Sequence, residues 1–262
     1  MTGQVLVVGS LQVVVHAEVD RVPAVGDAVT ATGTRRTVGG RGLDQALAAR
    51  RAGARVALVA SVGDDDAGRW CEDHLASLGV EPRLHVVPGE STATRVVMTA
   101  GHERDASLLL HGAAARFDGR AALAAAADGD VVLVQLDVPP PAAADVLREA
   151  DRRQLRAVVN ASPFAVLDPD AAAIADPFVV GERDAALLAD VGLMPASLCV
   201  TFGRAGAVWD GTRVDSDDLG TPAMPDGGTE AFCGTLAAGL AAGLDRRAAL
   251  RDAVAASALT DW

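Results

Sequence analysis

Lysine and tyrosine are missing from this chain altogether. All 23 basic side chains among its 262 residues are arginine, and aromatic residues make up only 3%. Without lysine there is no ammonium group to clamp a phosphate or form a Schiff base, so any cationic contact falls to the planar guanidinium of arginine. Positive charge is scarce overall: 35 carboxylates leave a formal net charge of −12. That excludes the broad basic face a nucleic-acid partner requires, although a single local pocket can oppose the global charge. Cys71, Cys199 and Cys233 form no Cys-x-x-Cys pair and no metal-ligand spacing, which reads as small buried thiols in a reducing cytoplasm. No basic leader precedes the first apolar run, and no run approaches the ~20 residues that span a bilayer. The expectation is a cytoplasmic protein with neither membrane nor nucleic-acid partner.

What is present is apolar mass. Half the residues are hydrophobic, ample for the core of one large α/β domain. Gln4-Val5-Leu6-Val7-Val8-Gly9 is a continuous apolar run ending in glycine, the pattern of a strand buried on both faces. Segments 13–19 and 29–37, the second rich in threonine, predict a small sheet standing off the main domain. Gly39-Gly40-Arg41-Gly42 feeds a helix over 43–52 that Gly53 stops. Further strands are expected at 56–60, 94–100, 106–110, 131–135, 157–160, 178–180 and 198–201. Helices are expected at 67–78, 142–153, near 171, at 184–189, 230–244 and 247–259. Asp210-Gly211 is a favoured hairpin turn between 208–209 and 212–214. Alternation of β and α at this spacing predicts a doubly wound sheet covered by helices.

Near the C-terminus a glycine pair precedes a small-residue apolar run: Met224-Pro225-Asp226-Gly227-Gly228-Thr229-Glu230-Ala231-Phe232. The unpaired N–H groups opening such a helix can hold an anion, and a carboxylate in that turn can take a proton from a hydroxyl. The plainer alternative is a helix N-terminus with a glutamate in its first turn. The segment resembles the D-T-x-G-A-G-D-x-F signature of the ribokinase (PfkB) family of sugar and nucleoside kinases. Six other segments resemble that family in the same order: Val8-Gly9-Ser10, Gly39-Gly40-Arg41-Gly42-Leu43-Asp44-Gln45-Ala46, Val62-Gly63-Asp64-Asp65 with Gly68, Gln135-Leu136-Asp137-Val138-Pro139, Val159-Asn160-Ala161-Ser162-Pro163, and Val200-Thr201-Phe202-Gly203-Arg204-Ala205-Gly206.

The resemblance implies a three-layer α/β/α sandwich over 1–262, with a small β-sheet lid formed by roughly 12–37 and 94–110. It implies a small-molecule ligand between sheet and lid, ATP with Mg²⁺ as the phosphoryl donor, and possible homodimerisation through the lid. Residue by residue, the catalytic base falls on Glu230, and the anion turn on Gly227, Gly228 and Thr229. Substrate contacts fall on Gln12, Val14, Gly39, Gly40, Arg41, Asp44 and Asp137. Nucleotide contacts fall on Thr201, Gly203 and Gly206, and metal organisation on Glu182 and Asp184.

Several positions depart from the family pattern. Glu230 is one methylene longer than the family aspartate, and Thr229 puts a β-branched side chain beside the phosphate turn. Val14 replaces a carboxylate that holds sugar hydroxyls. Asp44 replaces an asparagine and, ionised, accepts hydrogen bonds without donating them. Arg41 replaces lysine, Asp137 replaces glutamate, and Met224 replaces the aspartate opening the signature. Family members usually continue for some tens of residues past the position of Trp262, around the adenine. Two functional readings therefore stand: a scaffold with phosphoryl transfer impaired or lost, repurposed for ligand binding, and an active kinase for a small sugar-like or nucleoside-like alcohol with Glu230 as base. The histidines, including His16 and His111, read as surface or satisfied groups.

Overall fold

A computed structural model describes residues 3–101, 104–119, 122–219 and 228–257. Its centre is a nine-stranded sheet. Seven strands are parallel: β1 (Gln4–Val8), β4 (Arg55–Gly63), β5 (Glu81–Val87), β8 (Val131–Gln135), β9 (Arg156–Asn160), β10 (Phe178–Gly181) and β11 (Leu198–Thr201). The antiparallel hairpin β12 (Ala207–Trp209) and β13 (Thr212–Val214) closes one edge, giving the order β13-β12-β11-β10-β9-β8-β1-β4-β5. Asp210 and Gly211 take φ of 43° and 80°, the doubly left-handed geometry of the expected tight turn.

Continuous apolar strands serve two cores at once. Val5 and Val7 of β1 join a cluster with Leu43 of α1 (Arg41–Arg51), Leu75 of α2 (Asp66–Ser77), Phe232 of α6 (Gly228–Ala241) and Leu250 of α7 (Arg246–Ser257). Leu6 and Val8 point to the opposite face. There they meet Val146 and Leu147 of α3 (Pro140–Arg152), Ala171 of the short α4 (Pro169–Ala172) and Leu188 of α5 (Glu182–Asp190). This makes three layers, as expected.

A separate four-stranded sheet, ordered β3-β2-β6-β7, is built from β2 (Gln12–Glu18), β3 (Gly33–Gly39), β6 (Thr94–Ala100) and β7 (Arg104–Leu110). Its Val13, Val15 and Val38 pack into the first core, and Arg36 lies 5.4 Å from the Trp70 ring of α2. No helix among the described residues is long and apolar enough to cross a membrane. The three cysteines are free and buried, and burial raises their thiol pKa values, Cys71 to about 12. They are structural rather than reactive.

Candidate active site

After β1 the chain crosses to β4 and β5 on one side, then returns to β8 on the other. Such a switch point opens a crevice at the carboxyl ends of the strands. Ser10 follows β1 and Asp137 follows β8, so the crevice carries both. The Ser10 backbone N–H donates to Asp137 Oδ1 at 3.1 Å, and its hydroxyl donates to Asp137 Oδ2. The Ser10 Oγ in turn accepts the Arg41 backbone N–H at 3.1 Å. The start of α1 is thereby pinned to the end of β1.

Two glycines permit that approach. Gly40 has φ of 128°, and a Cβ there would stand 2.5 Å from the Ser10 carbonyl oxygen. A Cβ on Gly42 would come within 2.7 Å of the Gly9 carbonyl carbon. Gly40 and Gly42, which the sequence shows only as feeding a helix, thus make a backbone-to-backbone contact beside the cavity.

The small sheet roofs this crevice and encloses a cavity of about 490 Å³. Gln12, Val14, Gly39, Gly40, Arg41, Asp44 and Asp137 all line it, so every residue assigned to substrate by resemblance meets at one place. Burial, together with the negative charge of Glu230 and Asp137, pushes the Asp44 carboxyl up to about 6. Burial also raises Asp137 to about 6, against the opposing effects of its Ser10 hydrogen bond and the Arg41 charge.

Glu230 is the third residue of α6 and is 7% exposed. Its Oε1 accepts from Arg41 Nη1 at 2.9 Å. The same Nη1 donates to the Ser162 carbonyl at 2.7 Å. That carbonyl also accepts from Gln135 Nε2 at 2.5 Å, and Gln135 Oε1 accepts from Asn160 Nδ2 at 2.8 Å and Gln45 Nε2 at 2.5 Å. Gln45, Gln135 and Asn160 are wholly buried. An amide network joining α1, β8 and β9 therefore sets the carbonyl on which the Arg41 guanidinium rests. The sequence quoted these amides only as parts of motifs, and it singled out neither Ser162 as an anchor nor the Arg41–Glu230 pair.

Gly228 and Thr229 open α6, whose first N–H groups have no partner within the helix. Gly227, Met224, Pro225 and Asp226 lie outside the described residues. Thr201, Gly203 and Gly206 sit at and beyond the carboxyl end of β11 and are not among the residues that line the cavity. The Thr201 hydroxyl donates to the Val180 carbonyl at 3.3 Å, and Gly203 and Gly206 take φ of 54° and 100°. Glu182 and Asp184 fall in the first turn of α5. Among the described residues no cluster of three His, Cys, Asp or Glu side chains suits a metal ion. The sequence also did not single out Arg95, His16, Ser107, Leu109 and His111 as cavity-lining.

The chain resembles known proteins over most of its length. Residues 2–192 match the pattern described as pfkB family carbohydrate kinase. Ribokinase of Bacillus subtilis (strain 168) is 28% identical, over 98% of this chain and 92% of its own length. The structure of Arabidopsis thaliana ribokinase complexed with ribose and ATP gives a TM-score of 0.81 at 18% identity, covering 99% of this chain and 92% of that one. Burkholderia thailandensis nucleoside kinase in complex with inosine gives 0.76 at 20% identity, over 97% and 88%. These likenesses establish a ribokinase-like fold, and with the pattern spanning residues 2–192 the chain belongs to the pfkB family of carbohydrate kinases.

Proposed function

We propose that this protein binds a small hydroxylated molecule in the cavity and a nucleotide at the start of α6, with phosphoryl transfer between them weakened. The observation that carries this reading is the Arg41–Glu230 ion pair. A general base must meet the hydroxyl it deprotonates at roughly 2.6–3.2 Å, and a displacement near 1 Å can cost about 100-fold in rate. Here the carboxylate at the base position is buried, and one of its oxygens already serves a guanidinium. A hydroxyl that approaches that oxygen has to share it with the Arg41 guanidinium.

ATP is supported as the nucleotide by the ATP-bound and ADP-bound family relatives. The first turn of α6 offers what its phosphates need, namely N–H groups without a partner in the helix and the positive end of the helix dipole. Gly228 and Thr229, with Gly227 before them, are the residues for that role, and Thr201, Gly203 and Gly206 are those for the remainder of the nucleotide. Mg²⁺ is held in such sites by one or two carboxylates, water and the phosphates themselves, and Glu182 and Asp184 are the carboxylates for that role. Ser10, Asp44 and Asp137 accept or relay hydrogen bonds from ligand hydroxyls under a small sheet acting as a lid. Homodimerisation through that lid is proposed on the resemblance, and Leu108 and Leu110 on its β7 edge are exposed.

The second reading, an active kinase with Glu230 as base, is favoured by one detail: the hydrogen bond from Arg41 engages Oε1 alone. Glu230→Asp combined with Thr229→Gly separates the two. Shortening the carboxylate withdraws it from Arg41, so ADP formation with polyol acceptors should rise by roughly ten-fold or more if the pair limits transfer. No rise, with efficient wild-type turnover that Glu230→Gln abolishes, favours the active kinase.

A further inference from the structure

The roof of the cavity carries chemistry that the fold does not require. In β2, β6 and β7 alternate residues face opposite sides of the small sheet. One side, with Val13 and Val15, serves the core beside α2. The other faces the cavity with Gln12, Val14, His16, Arg95, Val97, Ser107 and Leu109. In register, Arg95 stands between Val14 on one neighbour and Leu109 on the other. It is thus a guanidinium set in an apolar row above the floor carboxylates.

Its partner is equally telling. Arg95 Nη2 donates to Ser107 Oγ at 3.4 Å, and no carboxylate among the described residues lies within ion-pair distance of it. Of the two arginines that line the cavity, Arg41 is paired with Glu230 and Arg95 is not. A cavity-facing arginine with no carboxylate partner among the described residues can turn its guanidinium to a ligand. His16 and His111 flank the same side of the cavity. The floor is opposite in sign, with Asp44 and Asp137 exposed to the same space.

We infer that the cavity takes a hydroxylated molecule whose far end carries an oxyanion, either a carboxylate or a phosphate, engaged by Arg95 in the small sheet. This rests on reading the cavity as the substrate site, and it adds the class of substrate. Hydroxyls donate to Asp44 and Asp137 on the floor. Those carboxylates repel an anionic end, so it turns toward the roof, where a guanidinium matches carboxylate or phosphate with paired donors. A cavity of this volume suits one molecule of monosaccharide size.

Calorimetric titration of the full chain without nucleotide tests this independently of phosphoryl transfer. The probes are D-ribose, D-gluconate and D-ribose 5-phosphate. At least one of the two acids should bind roughly ten-fold more tightly than ribose, as a charge-assisted contact supplies. Arg95→Ala should bring that acid to within roughly two-fold of ribose while ribose affinity holds, and Arg95→Lys should restore part of the preference. Which acid is preferred identifies the oxyanion. Ribose binding as tightly as both acids, a preference that survives Arg95→Ala, or no saturable binding of either acid overturns the inference. Because Arg95 is exposed and outside both cores, its variants should melt with the wild type, and that control is read in the same samples.

Discussion

At the scale of single residues, one ion pair and two carboxyls decide the character of the site. Glu230 is buried while the Arg41 side chain is 43% exposed, so removing Arg41 strands a carboxylate with solvent on one side only. Arg41→Met should lower unfolding stability by about 1–3 kcal/mol, between the values for exposed and fully buried pairs. Arg41→Met combined with Glu230→Gln should recover most of that loss in a urea titration, because the stranded charge is gone. Asp44 and Asp137 offer a second check. Both are raised from 3.8 to about 6, so the folded protein holds more protons than the unfolded chain between those values. Stability from these groups therefore falls as pH rises through that window and levels off above about 6. Asp44→Asn should flatten part of the slope and raise stability at pH 7 by about 1–2 kcal/mol. An unchanged slope in thermal melts from pH 4 to about 7 would show that burial does not perturb Asp44.

At the scale of elements, the site depends on how closely α1 approaches its neighbours. Gly42 touches the backbone of Gly9 and Ser10, and a Cβ on Gly234 of α6 would lie 2.4 Å from the Gln45 carbonyl oxygen of α1. Gly42→Ala and Gly234→Ala should each cost about 1–3 kcal/mol through overpacking. Gly181→Ala, with an ordinary φ of −75° and open space around its Cβ, should be neutral in the same denaturant titration. Much of this scale was legible in the sequence. Glycine at strand ends and a change of apolar period from strand to helix located β1, α1, α2 and the 208–214 hairpin within a few residues. Strand β5 was not read, because Pro82 interrupts its pattern; the structure places it at the sheet edge, where proline is tolerated. The cavity-facing roles of Arg95 and His16 were also hidden. Which side of a half-exposed strand meets a cavity depends on what packs against the other side, and α2 supplies that packing from a different part of the chain.

At the scale of the whole molecule, the site joins segments the linear sequence keeps far apart. Arg41 and Glu230 are 189 positions apart, and no local pattern reports their contact. Family resemblance placed each in a motif, but the pairing exists only once α1 and α6 pack side by side. The same assembly lays the small sheet across the switch point between β1 and β8, closing a polar floor under a roof that bears Arg95. The chain therefore gathers the residues assigned to substrate by resemblance in one cavity, while Glu230, proposed as the base, is engaged by a cation. A rapid-quench single-turnover experiment with γ-labelled ATP, excess protein and an accepting polyol tests this most directly. The account predicts that label is bound but transferred at least roughly 100-fold more slowly than the ~10 s⁻¹ of a typical enzyme, with Glu230→Gln giving nearly the same slow trace. A burst at ordinary enzymatic rates that Glu230→Gln abolishes would contradict it and establish Glu230 as a working base.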